Sequence, residues 1–382
     1  MYDLLAFVDK IFLQLKQAKE LELLLNTQEI GDMMKGKRKR KGNIKQHYVP
    51  QYYLRNFTDN KHLFVYDIQN NRSYNANVEN IGSEKYFYDI DIDLAGVYLT
   101  VDMELTETYV DDQIRLQNEN LCSPVIYDFQ EVCNILKDIK PNDRIGILFS
   151  DDTWPTIIDF ILVQFVRTKK IRKLFSELAE TSMEELKKQD LPKQLQIKVN
   201  DKNFWMSYFH NIFLYGVLSL SNKTKGIHLT DSFEKVFNIF IEEIQEFKSE
   251  LEKSTKILMY NTTETPFMTS DHPVCVYNKA DELSEFEVVY LPITKDISLL
   301  FVNSKLEEFS YLNGNIQVIR EDNISIVENY NLFVTQRASQ RVYSYTNDFD
   351  QVKSFVKGKI KMKLMIPQTT KDFVGPDRIV IM

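Results

Sequence analysis

Glycine is scarce. The chain of 382 residues holds 11, where average usage would give about 27. Neither GxGxxG nor GxxxxGK[ST] occurs in it, so the glycine-rich phosphate cradles of dinucleotide and P-loop sites are excluded. Cysteine is scarcer still: Cys122, Cys133 and Cys275 show no CxxC spacing. That removes a zinc ribbon and a disulfide scaffold and predicts a reducing, cytoplasmic compartment. No run approaches the ~18 apolar residues of a membrane span, so no membrane partner is expected. Asp3 and Lys10 interrupt the first apolar residues, which does not read as a secretory signal.

What is present is ordinary in bulk. Forty-seven Lys and Arg against 55 Asp and Glu give a net charge of −8, with 43% hydrophobic and 27% charged residues. This composition suits a globular protein and is too apolar for a disordered one. An acidic total does not exclude nucleic acid, because local clustering decides.

Three regions follow from the patterning. Residues 1–34 carry Leu4, Val8, Ile11, Leu15, Ala18 and Leu25 at helical spacing, predicting an amphipathic helix. Its stripe packs either on the rest of the chain or on a second copy, as a homo-oligomer. Residues 35–45 form a basic linker with Lys35, Lys37, Arg38, Lys39, Arg40 and Lys41. Such a run is either a solvated linker or a set of phosphate contacts to nucleic acid. Residues 46–382 read as a single α+β domain: a mixed or antiparallel sheet built from N- and C-terminal segments around a helical middle, about 100–255.

Within that domain, strands are expected at residues 62–68 and from Arg72, then helix over 100–119, 151–175, 203–218 and 231–252. Glu104, Glu107 and Asp111 share a helical face: a divalent-metal site or a solvated face. Asp111 is spaced to pair with Arg115. Short strands are expected at 257–260, 267–268, 274–277, 286–291, 297–302 and 316–319. Helix follows over 322–336, strand over 342–345 and helix over 350–357.

Polar residues interrupt apolar patterns at four places. His47 precedes a Pro-containing turn among aromatics, as a general base or acid or as a hydrogen-bonding group of the turn. Gln164 and Arg167 fall on the buried stripe of an apolar helix, so the guanidinium requires a carboxylate or a bound anion. Asp271 lies in Thr269-Ser270-Asp271-His272-Pro273, capping backbone donors or acting on Arg167 or a ligand. Ser270, Asp271 and His272 do not form a triad, since neighbours on an extended chain point to opposite sides. Asn331, within a helix, is an amide able to reach the same cleft.

The segment His47-Tyr48-Val49-Pro50-Gln51-Tyr52-Tyr53-Leu54-Arg55-Asn56-Phe57 resembles the opening signature of the family called domain of unknown function 4238. Gln164-x-x-Arg167-Thr168, Thr269-Ser270-Asp271-x-Pro273-Val274 and Leu291-Pro292-Ile293-Thr294 resemble its internal blocks, over about residues 45–345. His272 stands where the family more often has Asn. The resemblance implies a bacterial source and a fold grouping; function has to be argued from the site.

Two functions are expected. One is a cytoplasmic hydrolase of phosphodiesters or nucleotides, nuclease-like and serving as an effector in defence against phage. His47 would act as base or acid, Arg167 as phosphate clamp, Gln164 as orienter, and Asp271 as acid, metal ligand or His-orienting group. The other is a non-catalytic module binding nucleic acid or protein, with the same residues as a structural polar core. An enzyme needs them around an accessible cleft, whereas a structural network is sealed from water.

Overall fold

A computed structural model of the chain describes residues 45–59, 62–88, 99–101, 109–137, 145–176, 180, 202–220, 227–229, 231–278, 283–319, 323–363 and 378–381. The N-terminal amphipathic stretch, the basic run 35–41, Glu104 and Glu107 lie outside the described residues.

The chain enters through β1 (Lys45–His47), turns at Pro50 into α1 (Gln51–Leu54), and forms the hairpin β2 (His62–Asp67) and β3 (Arg72–Asn77). β4 (Ser83–Lys85) returns to pair with β1. Gly82 makes this return possible: its φ is +61°, and a Cβ there would meet the Val49 Cβ at 3.1 Å. The Gly82 carbonyl accepts from the backbone N–H of both Tyr48 and Val49, at 2.8 and 3.1 Å. Only glycine combines that φ with so close an approach.

β5 (Leu99–Val101) precedes a helical tract consisting of α2 (Tyr109–Gln113), a wider π turn over Ile114–Glu119 and α3 (Asn120–Leu136). β6 (Ile145–Leu148) leads to α4 (Thr153–Val166), a break at Arg167 and Thr168, and α5 (Lys169–Leu174). Then come α6 (Lys202–Ser219), β7 (Ile227–Leu229) and α7 (Asp231–Lys253). The C-terminal third supplies β8 (Thr255–Asn261), β9 (Thr269–Ser270), β10 (Cys275–Asn278), β11 (Phe286–Pro292), β12 (Ile297–Val302) and β13 (Asn315–Ile319). It ends in α8 (Ile324–Arg337), β14 (Arg341–Ser344), α9 (Asp350–Val356) and β15 (Arg378–Ile381).

The fold is α+β, with sheets assembled from distant segments. Seven strands run in the order β10-β11-β12-β8-β13-β6-β15, antiparallel except for β13 on β8 and β15 on β6. A second sheet, β3-β2-β14-β9, joins the N-terminal hairpin to two C-terminal strands, wholly antiparallel. β12 is buried at every position, because both faces of the large sheet are covered. Leu258, Leu299 and Phe301 face the helices that contribute Phe129, Ile161 and Phe247. Met259, Tyr290 and Leu300 face α8 through Tyr330 and Phe333, and the Tyr290 and Tyr330 rings stack at 4.4 Å. Each such side chain contributes about 1.5–3 kcal/mol of burial free energy.

The sequence reading differs from this structure at a few elements. Residues 99–101 are a strand paired with β7 rather than the start of a helix. The expected helix over 151–175 is broken at Arg167 and Thr168. The strand expected at 267–268 is displaced to Thr269–Ser270. Arg115 pairs with Asp112 at 3.0 Å rather than with Asp111, since the widened turn from Ile114 moves the fourth residue off the line that an α-helix would give it. None of the described helices is long and apolar enough to cross a membrane.

Candidate functional site

α4 is apolar on nearly every side, so Gln164 within it and Arg167 at its C-terminal end are carried into the core, 0% and 1% exposed. Gln164 Nε2 donates to the Tyr48 carbonyl at 2.9 Å. Arg167 Nε donates to the Tyr88 hydroxyl at 3.0 Å, and Nη2 donates to Glu119 Oε1 at 3.0 Å and to the His47 carbonyl. Burial pulls the Arg167 pKa down, but the Tyr88 hydroxyl and the Glu119 carboxylate outweigh it and hold the guanidinium charged.

Tertiary groups also explain why the helix ends here. A helix leaves its last carbonyls without partners. His210 Nε2 takes that of Val166 at 2.9 Å, and the Tyr88 hydroxyl lies 3.3 Å from that of Arg167. Thr168 is extended, at φ −93° and ψ 159°, and its Oγ1 lies 2.8 Å from His272 Nδ1. That bond ties the α4–α5 break to the segment following β9.

The β9 segment is bound the same way. Thr269 Oγ1 lies 2.8 Å from the Tyr53 hydroxyl, which donates to the Pro292 carbonyl at 2.6 Å. Ser270 Oγ accepts from the His272 N–H at 3.1 Å and donates to the His272 carbonyl at 2.9 Å, a local turn. Asp271 accepts three backbone N–H groups, from Ser339, Gln340 and Arg341, at 2.8, 2.9 and 3.2 Å. Burial pushes its carboxyl up to about 6 even though these donors pull the other way. Asn331 straps the chain just before β9: its Oδ1 accepts from Met268 N–H at 2.8 Å and its Nδ2 donates to the Pro266 carbonyl at 2.9 Å.

The structure therefore brings residues 46–57, 164–168 and 269–272 together, but through backbone groups and neighbours rather than through four converging side chains. Asp271 is turned to residues 339–341, and Asn331 to 266–268. His47 is half-buried, with Gln51 Nε2 3.2 Å from its Nε2. Burial, then the charges of Lys45 and Arg167, push its pKa down to about 4. That shift favours the neutral imidazole, the proton-accepting form.

Three participants were not assigned to the cluster from sequence. Tyr88 and Glu119 hold Arg167. Asp111 lies on α2 beside them, its carboxyl pushed up to about 6 by burial, with Arg167 lowering it and Glu119 raising it. Asp111 precedes the π turn and Glu119 is its last residue, and such turns recur at functional sites. A buried arginine in an apolar helix was the available signal that a carboxylate had to arrive. Its origin was hidden by the intervening chain. Among the described residues, no group of three or more His, Cys, Asp and Glu is placed to hold a metal ion. Cys122, Cys133 and Cys275 are buried.

The fold and this junction define an α+β protein whose polar motif residues are bound largely by its own backbone and side chains, with Gln164 Oε1 and Arg167 Nη1 buried without a hydrogen-bond partner. The chain matches the model of the family described as Protein of unknown function (DUF4238) over residues 45–348. It belongs to that family. No curated protein and no solved structure matches it.

Proposed function

We propose that this chain is a cytoplasmic, non-catalytic nucleic-acid-binding module with a structural polar core. The observation supporting it is the enclosure of Arg167: nearly unexposed, it is held by Glu119, Tyr88 and the His47 carbonyl. A phosphate clamp has to offer its guanidinium to a ligand; this one gives Nε and Nη2 to three segments of its own chain, and its remaining Nη1 is buried. Binding is assigned to the six cations of residues 35–41.

On duplex DNA each phosphate contact adds about −0.9 to the slope of log affinity against log salt. Replacing Lys37, Arg38, Lys39 and Arg40 by Ala should flatten that slope by up to about 3.6. Equal binding by wild type and variant at low salt would reduce the run to a linker.

Phosphodiester hydrolysis, in a nuclease-like defence effector, is the second reading. Asp111 favours it: a carboxyl titrating near 6 beside Arg167 and Glu119 is poised for acid–base work at neutral pH. Incubation with RNA, DNA and nucleotides, with and without divalent metal, tests it. Turnover abolished by Asp111→Asn would support hydrolysis; no turnover on any of them would leave binding alone.

A further inference from the structure

The face of the smaller sheet that packs toward Tyr48 carries a different kind of site. Arg341 and Tyr343 are two residues apart on β14, so they point to one face. The register sets Tyr343 opposite Val65 and Val65 opposite Tyr74. It likewise sets Arg341 opposite Asp67 and Asp67 opposite Arg72. Residues directly opposite share a face, so Arg72, Tyr74, Arg341 and Tyr343 lie on the same side. Tyr48 adjoins them, close enough to feel the charges of Asp271 and Arg341. Lys169 Nζ lies 5.3 Å from the centre of its ring.

The charges on this face are unequally satisfied. Asp67 accepts from the N–H and Nδ2 of Asn70 at 3.0 and 2.9 Å. Asp271 has its three backbone donors, and Glu84 has Lys169 at 2.5 Å. By contrast, Arg341 Nε and the Tyr343 hydroxyl are buried with no hydrogen-bond partner. Tyr343 is wholly enclosed, and burial holds its pKa well above the ordinary range, so it stays an O–H donor. The carboxylates are engaged while two donors, one of them cationic, are vacant. Buried donors in that position call for an acceptor. An anion with oxygens out of one plane suits a guanidinium edge plus a separate hydroxyl better than a flat carboxylate does.

We propose that the β14 face at Arg341 and Tyr343, flanked by Tyr48 and Tyr74, binds the phosphate of a phosphate monoester. The phosphate oxygens accept from Arg341 Nε–H and the Tyr343 hydroxyl, and the partly exposed Tyr74 ring offers apolar surface to the group it is attached to. The site stands apart from the basic run. Calorimetric titration of the full chain with inorganic phosphate, AMP and adenosine tests it. Phosphate, AMP or both should bind and adenosine should not; tighter binding of AMP would identify a nucleotide, and equal binding the free anion. Tyr343→Phe and Arg341→Met should each weaken binding about tenfold or more, the scale of a hydrogen bond to a charged group. The variant with residues 37, 38, 39 and 40 changed to Ala should bind as wild type does. Absence of phosphate and AMP binding would overturn the proposal. So would binding that survives both β14 substitutions, or binding lost with the basic run. Should Tyr343→Phe fail to fold, the half-buried Arg341 carries the same comparison.

Discussion

Arg167 sits at the C-terminal end of the apolar α4, 1% exposed. A guanidinium on an apolar helix needs partners, and it has them in Glu119, Tyr88 and the carbonyl of His47. The carbonyl could not be anticipated, because every residue type supplies one; Glu119 was hidden because no spacing links it to residue 167. Removing a buried charge's partners, or the charge itself, costs about 3–5 kcal/mol when the remaining groups stay enclosed. Glu119 is partly open to water, 27% exposed at the side chain, so the lower end applies. Arg167→Met is expected to destabilise the chain by about 3 kcal/mol in urea unfolding. A variant as stable as wild type would show that the three segments meet without it, and would return Arg167 to the list of ligand-binding residues.

At the scale of elements, uninterrupted apolar patterns are legible even when short, as in β14, and interrupted or two-residue ones are not. β12 and α7 are continuous patterns that apolar spacing finds directly. α3 falls within the helical middle expected over about 100–255 but is not delimited there, because Pro124 lies within it and an interior proline ordinarily ends a helical reading; the wider turn lies just upstream. β9 has two residues, too few for any alternation to be visible. It is held in place by the side chain that follows it and by one on α8, Asp271 bonding residues 339–341 and Asn331 bonding residues 266 and 268. Asn331→Leu keeps the volume and leaves the Met268 N–H and Pro266 carbonyl buried without partners. At ~1–3 kcal/mol for each orphaned group, a loss of about 3 kcal/mol is expected. Amide exchange at Met268 should accelerate more than exchange in β11 and β12. Uniform acceleration across all three would mean that the segment opens only with the whole molecule.

For the molecule as a whole, the buried titratable groups set a pH dependence whose sign can be worked out. His210 is pushed down to about 3 by burial and by Arg172, and His272 well below its usual range by burial, Lys170 and Arg337. In the unfolded chain both take a proton near 6.5. Their contribution to stability is therefore complete above pH 6.5 and is lost as pH falls below it. Asp271 acts in the opposite sense. Its folded carboxyl titrates at about 6, above the unfolded value, so it stabilises at low pH and loses that contribution as pH rises from about 4 to 6. His47 and Asp111, both partly solvated, oppose each other in the same way and are discounted together. Between pH 6 and 5 two histidines work against one carboxyl, a net of about one proton, and stability should fall by roughly 1.4 kcal/mol. His272→Asn keeps an acceptor for Thr168 and removes one titrating group, so the slope should fall to nearly zero. Asp271→Asn removes the opposing group, so its slope should roughly double although the variant is less stable at every pH. Urea midpoints at pH 5, 6 and 7 measure all three chains. Parallel pH profiles for the wild type and both variants would show that neither residue titrates differently in the folded and unfolded chain, and the sealed junction would then be more open to water than its geometry indicates.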